Sequence, residues 1–216
     1  MIPVKPNFII ELVGLPGSGK SFTARALAAA TGAPVLPWRQ PRRVMLLGLA
    51  AHPLSAWHWF RALGRETRQS RTGSLWRYKI ALLGSTFAQA WLARRREPPG
   101  PVIMDEGFAQ RILSVAEQPQ TVAATRTLFL ASPPADLIVI IETRPPTFRR
   151  HEHQHARAEQ GGDYLMAWKE IITANYEVVK QVITESGRPY RYVRSEADRE
   201  ALAEFITRQQ NSADTL

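Results

Sequence analysis

Residues Gly14-Leu15-Pro16-Gly17-Ser18-Gly19-Lys20-Ser21 spell the phosphate-binding pattern G-x-x-x-x-G-K-[ST], which permits very few local folds. A loop of this kind needs a strand before it and a helix after it. Both flanks comply. Phe8-Ile9-Ile10-Glu11-Leu12-Val13 is an apolar run of strand length, and residues 22–30 are rich in strong helix formers. Glycines let successive backbone N–H groups turn inward around an anion, and the helix that follows adds its positive N-terminal end. The pattern assigns the cradle to Gly14, Pro16, Gly17, Ser18 and Gly19, with Phe22 at the start of the helix. Lys20 would reach the β- and γ-phosphates and the Ser21 hydroxyl would ligate Mg²⁺. The implied ligand is a nucleoside triphosphate, ATP with Mg²⁺.

A chain of 216 residues fits a single domain, 1–216, with room for a substantial core. It contains no cysteine, which excludes disulfides and thiolate metal sites and makes a reducing, cytoplasmic location the expected one. A net charge of +9 favours anionic partners. The weakly polar stretch 44–60 contains His52, Pro53 and His58, so it makes a poor membrane span. Its Trp57, Trp59 and Phe60, with Arg42 and Arg43 upstream, have some marks of an interfacial helix. A core-facing helix pair beside the nucleotide site is the reading adopted. Membrane and nucleic-acid contact are therefore not expected, and a homodimer is left open.

Strand signals recur between helical ones. Ala33-Pro34-Val35-Leu36 is a short candidate strand, Val102-Ile103-Met104-Asp105 is apolar up to a terminal carboxylate, and Leu137-Ile138-Val139-Ile140-Ile141 is the clearest strand of all. Tyr190-Arg191-Tyr192-Val193 is the last. Helical patterning covers about 43–64 with a break at Pro53, then 74–96, 107–117, 120–131, 163–185 and 196–209. Ser195 and Asp198 form a start signal for the final helix. Alternation of this kind predicts an α/β fold of three layers, a mostly parallel sheet covered on both faces, with ligands at the carboxyl ends of the strands. The glycine loop and Asp105 both fall there.

Asp105 is expected to support Mg²⁺ together with Ser21. Glu106, beside it, would orient water in a hydrolase, and in a kinase either acid could take a proton from an acceptor hydroxyl. The arginines after the strongest strand (Arg144, Arg149, Arg150 and Arg157) suit a lid, about 144–161, that closes over the moving phosphoryl group, with Arg149 and Arg150 as its phosphate contacts. His151-Glu152-His153-Gln154-His155 spells H-E-x-x-H, yet its setting is a basic lid, so an exposed polar helix is preferred to a zinc site. Trp38, Arg39, Arg42 and Arg43 follow the second strand, near where an acceptor could lie. Arg77, Lys79 and Gln110 read as surface residues, and Arg94, Arg95 and Arg96 as charges that offset a helix dipole.

Together, Gly14 to Ser21, the strand-terminal Asp105, residues 138–142 with the arginines after them, and the helix bearing Asp163-Tyr164-Leu165 and Asn175-Tyr176 resemble the thymidylate kinase-like group of nucleoside and nucleotide kinases in the P-loop superfamily. The resemblance implies a phosphotransferase acting on a small anionic or hydroxyl-bearing acceptor. Those families carry an arginine after the acid, where this chain has Glu106. The pattern Asp105-x-Gly107-x-x-Gln110 also looks like kinases encoded beside polysaccharide genes, so the acceptor is not restricted to nucleotides. A nucleotide hydrolase or switch acting on a macromolecular partner is the alternative.

Overall fold

The computed structural model describes residues 7–69, 75–145 and 162–214. In chain order these form β1 (Phe8–Val13), α1 (Lys20–Thr31), α2 (Arg42–Ala51), α3 (Pro53–Gln69), α4 (Leu75–Arg95), β2 (Pro101–Met104), α5 (Phe108–Val115), α6 (Val122–Ala131), β3 (Leu137–Ile141), α7 (Gly162–Glu185), β4 (Tyr190–Val193) and α8 (Glu196–Asp214).

The four strands lie in the order β2-β1-β3-β4, and every pair is parallel. Side chains alternate across a strand, so each strand feeds two cores. On one face Ile9 and Val13 of β1, Val102 and Met104 of β2, and Ile138 and Ile140 of β3 pack with residues of α3, α4, α5, α6 and α7. On the other, Ile10, Leu12, Ile103, Val139 and Ile141 meet Ala24 and Leu27 of α1 and Leu202 and Ile206 of α8. The result is a helix–sheet–helix sandwich, as the alternating pattern predicts. The candidate strand at 33–36 contributes a single parallel bridge, Val35 to Ile103, at the β2 edge. Pro34 and Pro37 flank that bridge and lack the N–H groups a longer ladder needs.

Aromatic contacts fix the larger core. The Phe87 and Phe108 rings lie 4.9 Å apart, edge to face, and Trp59 lies 5.8 Å from Phe108. The Trp59 indole also donates to Ser132 Oγ at 2.9 Å, so its one polar atom is satisfied. Together these contacts join α3, α4 and α5 to the end of α6.

Two residues read as surface are internal. Lys79 is fully buried, paired with Glu117 at 2.7 Å and donating to the carbonyl of Val115 at 2.8 Å. The partner acid lies 38 positions away in sequence, so helix periodicity alone cannot place Lys79. Gln110 is buried as well, whereas Arg77 is exposed as expected. Arg94 does more than face a helix dipole: it donates to Asp136 at 2.9 Å and to the carbonyls of Asn7 and Pro134, tying the end of α4 to the starts of β1 and β3. At the start of α8, Asp198 accepts from the Arg194 and Ser195 amides while Ser195 Oγ accepts from the Asp198 amide, the expected reciprocal cap. No helix among the described residues is long and apolar enough to cross a membrane.

Candidate functional site

The glycine loop leaves β1 at its carboxyl end and enters α1 through Gly19, whose φ of 102° lies in the left-handed region. A Cβ there would also stand 2.4 Å from Thr143 Oγ1, which donates to the Ser18 carbonyl at 2.7 Å. Thr143 follows β3, so two adjacent strand ends hold the loop between them. A third tie comes from α5: Gln110 Oε1 accepts from the Gly14 amide at 3.0 Å inside the core. Gln110 thus positions the first residue of the loop instead of lying on a helix surface.

Lys20 Nζ donates to the carbonyls of Gly14, at 2.7 Å, and Leu15, at 3.0 Å, so the amine curls over the loop. Burial lowers its pKa to about 8, against the opposing pull of the Glu106 and Asp105 carboxylates. Ser21 Oγ donates to Asp105 Oδ2 at 3.0 Å across 84 residues of sequence. The other oxygen, Asp105 Oδ1, is buried with no hydrogen-bond partner among the described residues. Burial pushes the Asp105 carboxyl up; the Ser21 hydroxyl and the Lys20 and Arg111 charges pull it down, and burial prevails. A hydroxyl and a carboxylate oxygen converging here, one oxygen still open, match the hard-oxygen ligands that Mg²⁺ takes. The predicted Ser21–Asp105 pair is therefore assembled, with Lys20 beside it.

Glu106 is half-exposed and forms an ion pair with Arg111 at 2.8 Å. Arg111 is buried to 1% exposure, and its Nε donates to Thr86 Oγ1 at 2.7 Å. Its Nη2 has no hydrogen-bond partner among the described residues. A guanidinium thus stands beside the acid pair after all, supplied from one turn of α5 rather than from the position after Asp105. Sequence reasoning missed it. The available signal was a lone charge inside the otherwise uncharged run Phe108 to Val115.

Glu11 was missed too, although an acid in the middle of an apolar strand is a signal. It faces the start of α5, where its carboxylate accepts from the Ala109 amide. Only glycine fits at position 107, because a Cβ would lie 2.2 Å from Glu11 Cδ. Burial raises the Glu11 pKa to about 7, with the backbone amides of α5 opposing. This links stability to pH. The native carboxyl holds its proton up to about pH 7, whereas the unfolded chain releases it near 4.5. Between those values the native state binds more protons, so stability falls as pH rises. Glu11→Gln removes that slope. The stability difference between variant and parent is expected to move by about 3 kcal/mol in favour of glutamine between pH 5 and pH 8, read by urea denaturation at both.

On the far side of the loop a cleft of about 240 Å³ is lined by Phe22, Thr143, Arg144, Arg194, Ser195, Glu196 and Arg199. The exposed Phe22 ring lies 4.9 Å from the Arg199 guanidinium and 5.6 Å from that of Arg144. Glu142, next to the cleft residue Thr143 in sequence, accepts from Lys180, at 2.9 Å, and from the cleft residue Arg194, at 3.0 Å. Phe22 and Arg144 were expected near the ligand; Arg194 and Arg199 join them from the β4–α8 corner. Trp38 is exposed rather than packed in the core, and the Arg39 guanidinium stacks on it at 4.5 Å. Arg149, Arg150, Arg157 and the histidines at 151, 153 and 155 lie outside the described residues. Among the described residues no cluster of three or more His, Cys, Asp or Glu could hold a metal ion.

No protein-family model matches the chain, and no curated protein does. Solved structures do. The deoxyadenosine kinase of M. mycoides with the products dCMP and dCDP is 15% identical and matches with a TM-score of 0.52, over 95% of this chain and 100% of the kinase chain. The same enzyme with dATP bound gives 14% identity and a TM-score of 0.52, over 94% and 98%. This chain therefore shares its fold with that deoxyadenosine kinase.

Proposed function

We propose that the chain is an ATP- and Mg²⁺-dependent phosphotransferase that moves the γ-phosphoryl group to the hydroxyl of a small acceptor, in the manner of nucleoside and nucleotide kinases. The observation that carries this is the convergence of Lys20, Ser21 and Asp105 past the carboxyl ends of β1 and β2, with no partner for Asp105 Oδ1 among the described residues. The loop amides and Lys20 hold the triphosphate, for which the amine swings off the Gly14 and Leu15 carbonyls. Ser21 and Asp105 hold Mg²⁺, which neutralises charge on the phosphates when bound. Phe22, with the Arg144 and Arg199 guanidinium groups near its ring, offers planar surfaces for the base.

The acceptor oxygen attacks the γ-phosphorus as the bond to the β-phosphate oxygen breaks, and ADP departs. Glu106 takes the acceptor proton, held in place by Arg111. In this reading the whole chain is one domain, the segment at about 144–161 is its lid, and Arg149 and Arg150 meet the transferring group. The deoxyadenosine kinase likeness favours a nucleoside among acceptors.

The test is incubation of the protein with γ-labelled ATP, Mg²⁺ and separate nucleosides, nucleotides and sugars. Label appearing on one acceptor, and lost with Asp105→Asn, is the expected result. Label released only as inorganic phosphate would overturn the kinase reading in favour of hydrolysis.

A further inference from the structure

The helix pair α2–α3 was expected to face the core, and only one side of it does. Gly48, Ala56, Trp59 and Leu63 are buried, and Gly48 lies so close to α4 that a Cβ would meet the Phe87 carbonyl carbon at 2.5 Å. The opposite side is apolar and uncovered. Leu46 is 67% exposed, Leu47 49%, Leu54 77% and Trp57 63%. These four lie within twelve residues of sequence, on two successive helices either side of the turn at His52.

Charge decides what the patch fits. Arg42 and Arg43, both exposed, open α2; Arg61 and Arg65, also exposed, continue the outer side of α3. No Asp or Glu occurs between Glu11 and Glu66. An apolar centre with a tryptophan, bounded at both ends by guanidinium groups and free of acids, is complementary to an anionic phospholipid surface. Leucine and tryptophan enter the interfacial layer while arginines meet lipid phosphates. A second copy of this chain seated on the same patch would set cation against cation, and a nucleic acid would leave the three leucines without a counterpart. We infer that the α2–α3 face docks the protein reversibly on an anionic bilayer.

The test is sedimentation of the full chain with vesicles of phosphatidylcholine alone and with one third phosphatidylglycerol. Binding to the mixed vesicles only, released by salt, is the expected result. The double substitution Leu54→Glu/Trp57→Glu is expected to weaken partitioning at least about tenfold, and Arg61→Glu alone about tenfold, each with unchanged circular dichroism. Thermal shift by Mg·ATP stays as in the parent, which separates failure of this proposal from failure of the kinase reading. Three outcomes would overturn it: no binding to charged vesicles, equal binding by Arg61→Glu, or a dimer or oligonucleotide complex that consumes Leu54 and Trp57 in place of lipid.

Discussion

Replacing Lys20 by methionine is expected to cut the proposed phosphoryl transfer about a thousandfold and at the same time make the nucleotide-free protein more stable. The two effects have one cause. The amine is held over the loop with its charge partly removed from water, which lowers its pKa to about 8. An unfolded chain keeps that proton until about 10.5, so below pH 8 the native state carries the full cost of the partly buried charge. Some solvent still reaches the side chain, and the cost at neutral pH is about 2 kcal/mol. Methionine keeps the aliphatic stem and removes the charge. It also removes the two hydrogen bonds to Gly14 and Leu15, worth about 1 kcal/mol together where water can replace them. The balance is a rise in melting temperature of about 3 °C at pH 7. Because the native penalty fades between pH 8 and 10.5, the advantage shrinks on going to pH 10. If Lys20 meets the γ-phosphate as proposed, phosphoryl transfer falls about a thousandfold without it. Calorimetry at the two pH values and the labelled-ATP assay check both halves. A lower melting temperature at pH 7 would show that the amine stabilises the empty loop, contrary to the burial argument.

Much of this site is legible in the sequence because its parts obey local rules. A glycine loop between an apolar strand and a helix has one architecture, and an acid ending a second buried strand must arrive at the same sheet edge when the strands are parallel. That is why Ser21 and Asp105, far apart in sequence, could be paired before any coordinates. What escaped depends on partners that the sequence does not name. Gln110 is one helical turn from Glu106 and reads as surface, yet its amide oxygen holds the Gly14 N–H. Arg111 and Lys79 are cations whose burial depends on carboxylates supplied from other turns. The outer side of α2–α3 failed for the opposite reason: periodicity marks leucine and tryptophan as core, and nothing in a sequence says that the supply of packing partners has run out. Glu11 is the intermediate case, since an acid inside Phe8–Val13 announces that something must satisfy it without naming the N-terminus of α5.

The pair Glu106–Arg111 should separate stability from catalysis in a way that its geometry dictates. The arginine is sealed from solvent while the glutamate is 37% exposed. Removing the acid therefore strands a buried guanidinium, whereas removing the arginine leaves a carboxylate that water can solvate. Glu106→Ala is expected to lose about 3 kcal/mol of stability and Arg111→Met about 1 kcal/mol, the latter mainly from the bond to Thr86. The double variant should resemble Arg111→Met alone, giving a coupling of about 3 kcal/mol, well beyond what exposed ion pairs yield. Catalysis orders the variants differently. If Arg111 holds the carboxylate that takes the acceptor proton, Arg111→Met lowers kcat about a hundredfold with little change in the KM for ATP, and Arg111→Lys recovers part of the loss. Chemical denaturation of the four proteins, with steady-state kinetics on the same preparations, tests both. Should Arg111→Met prove the more destabilising of the two single changes while leaving kcat intact, the arginine is a packing element and Glu106 needs no partner to work.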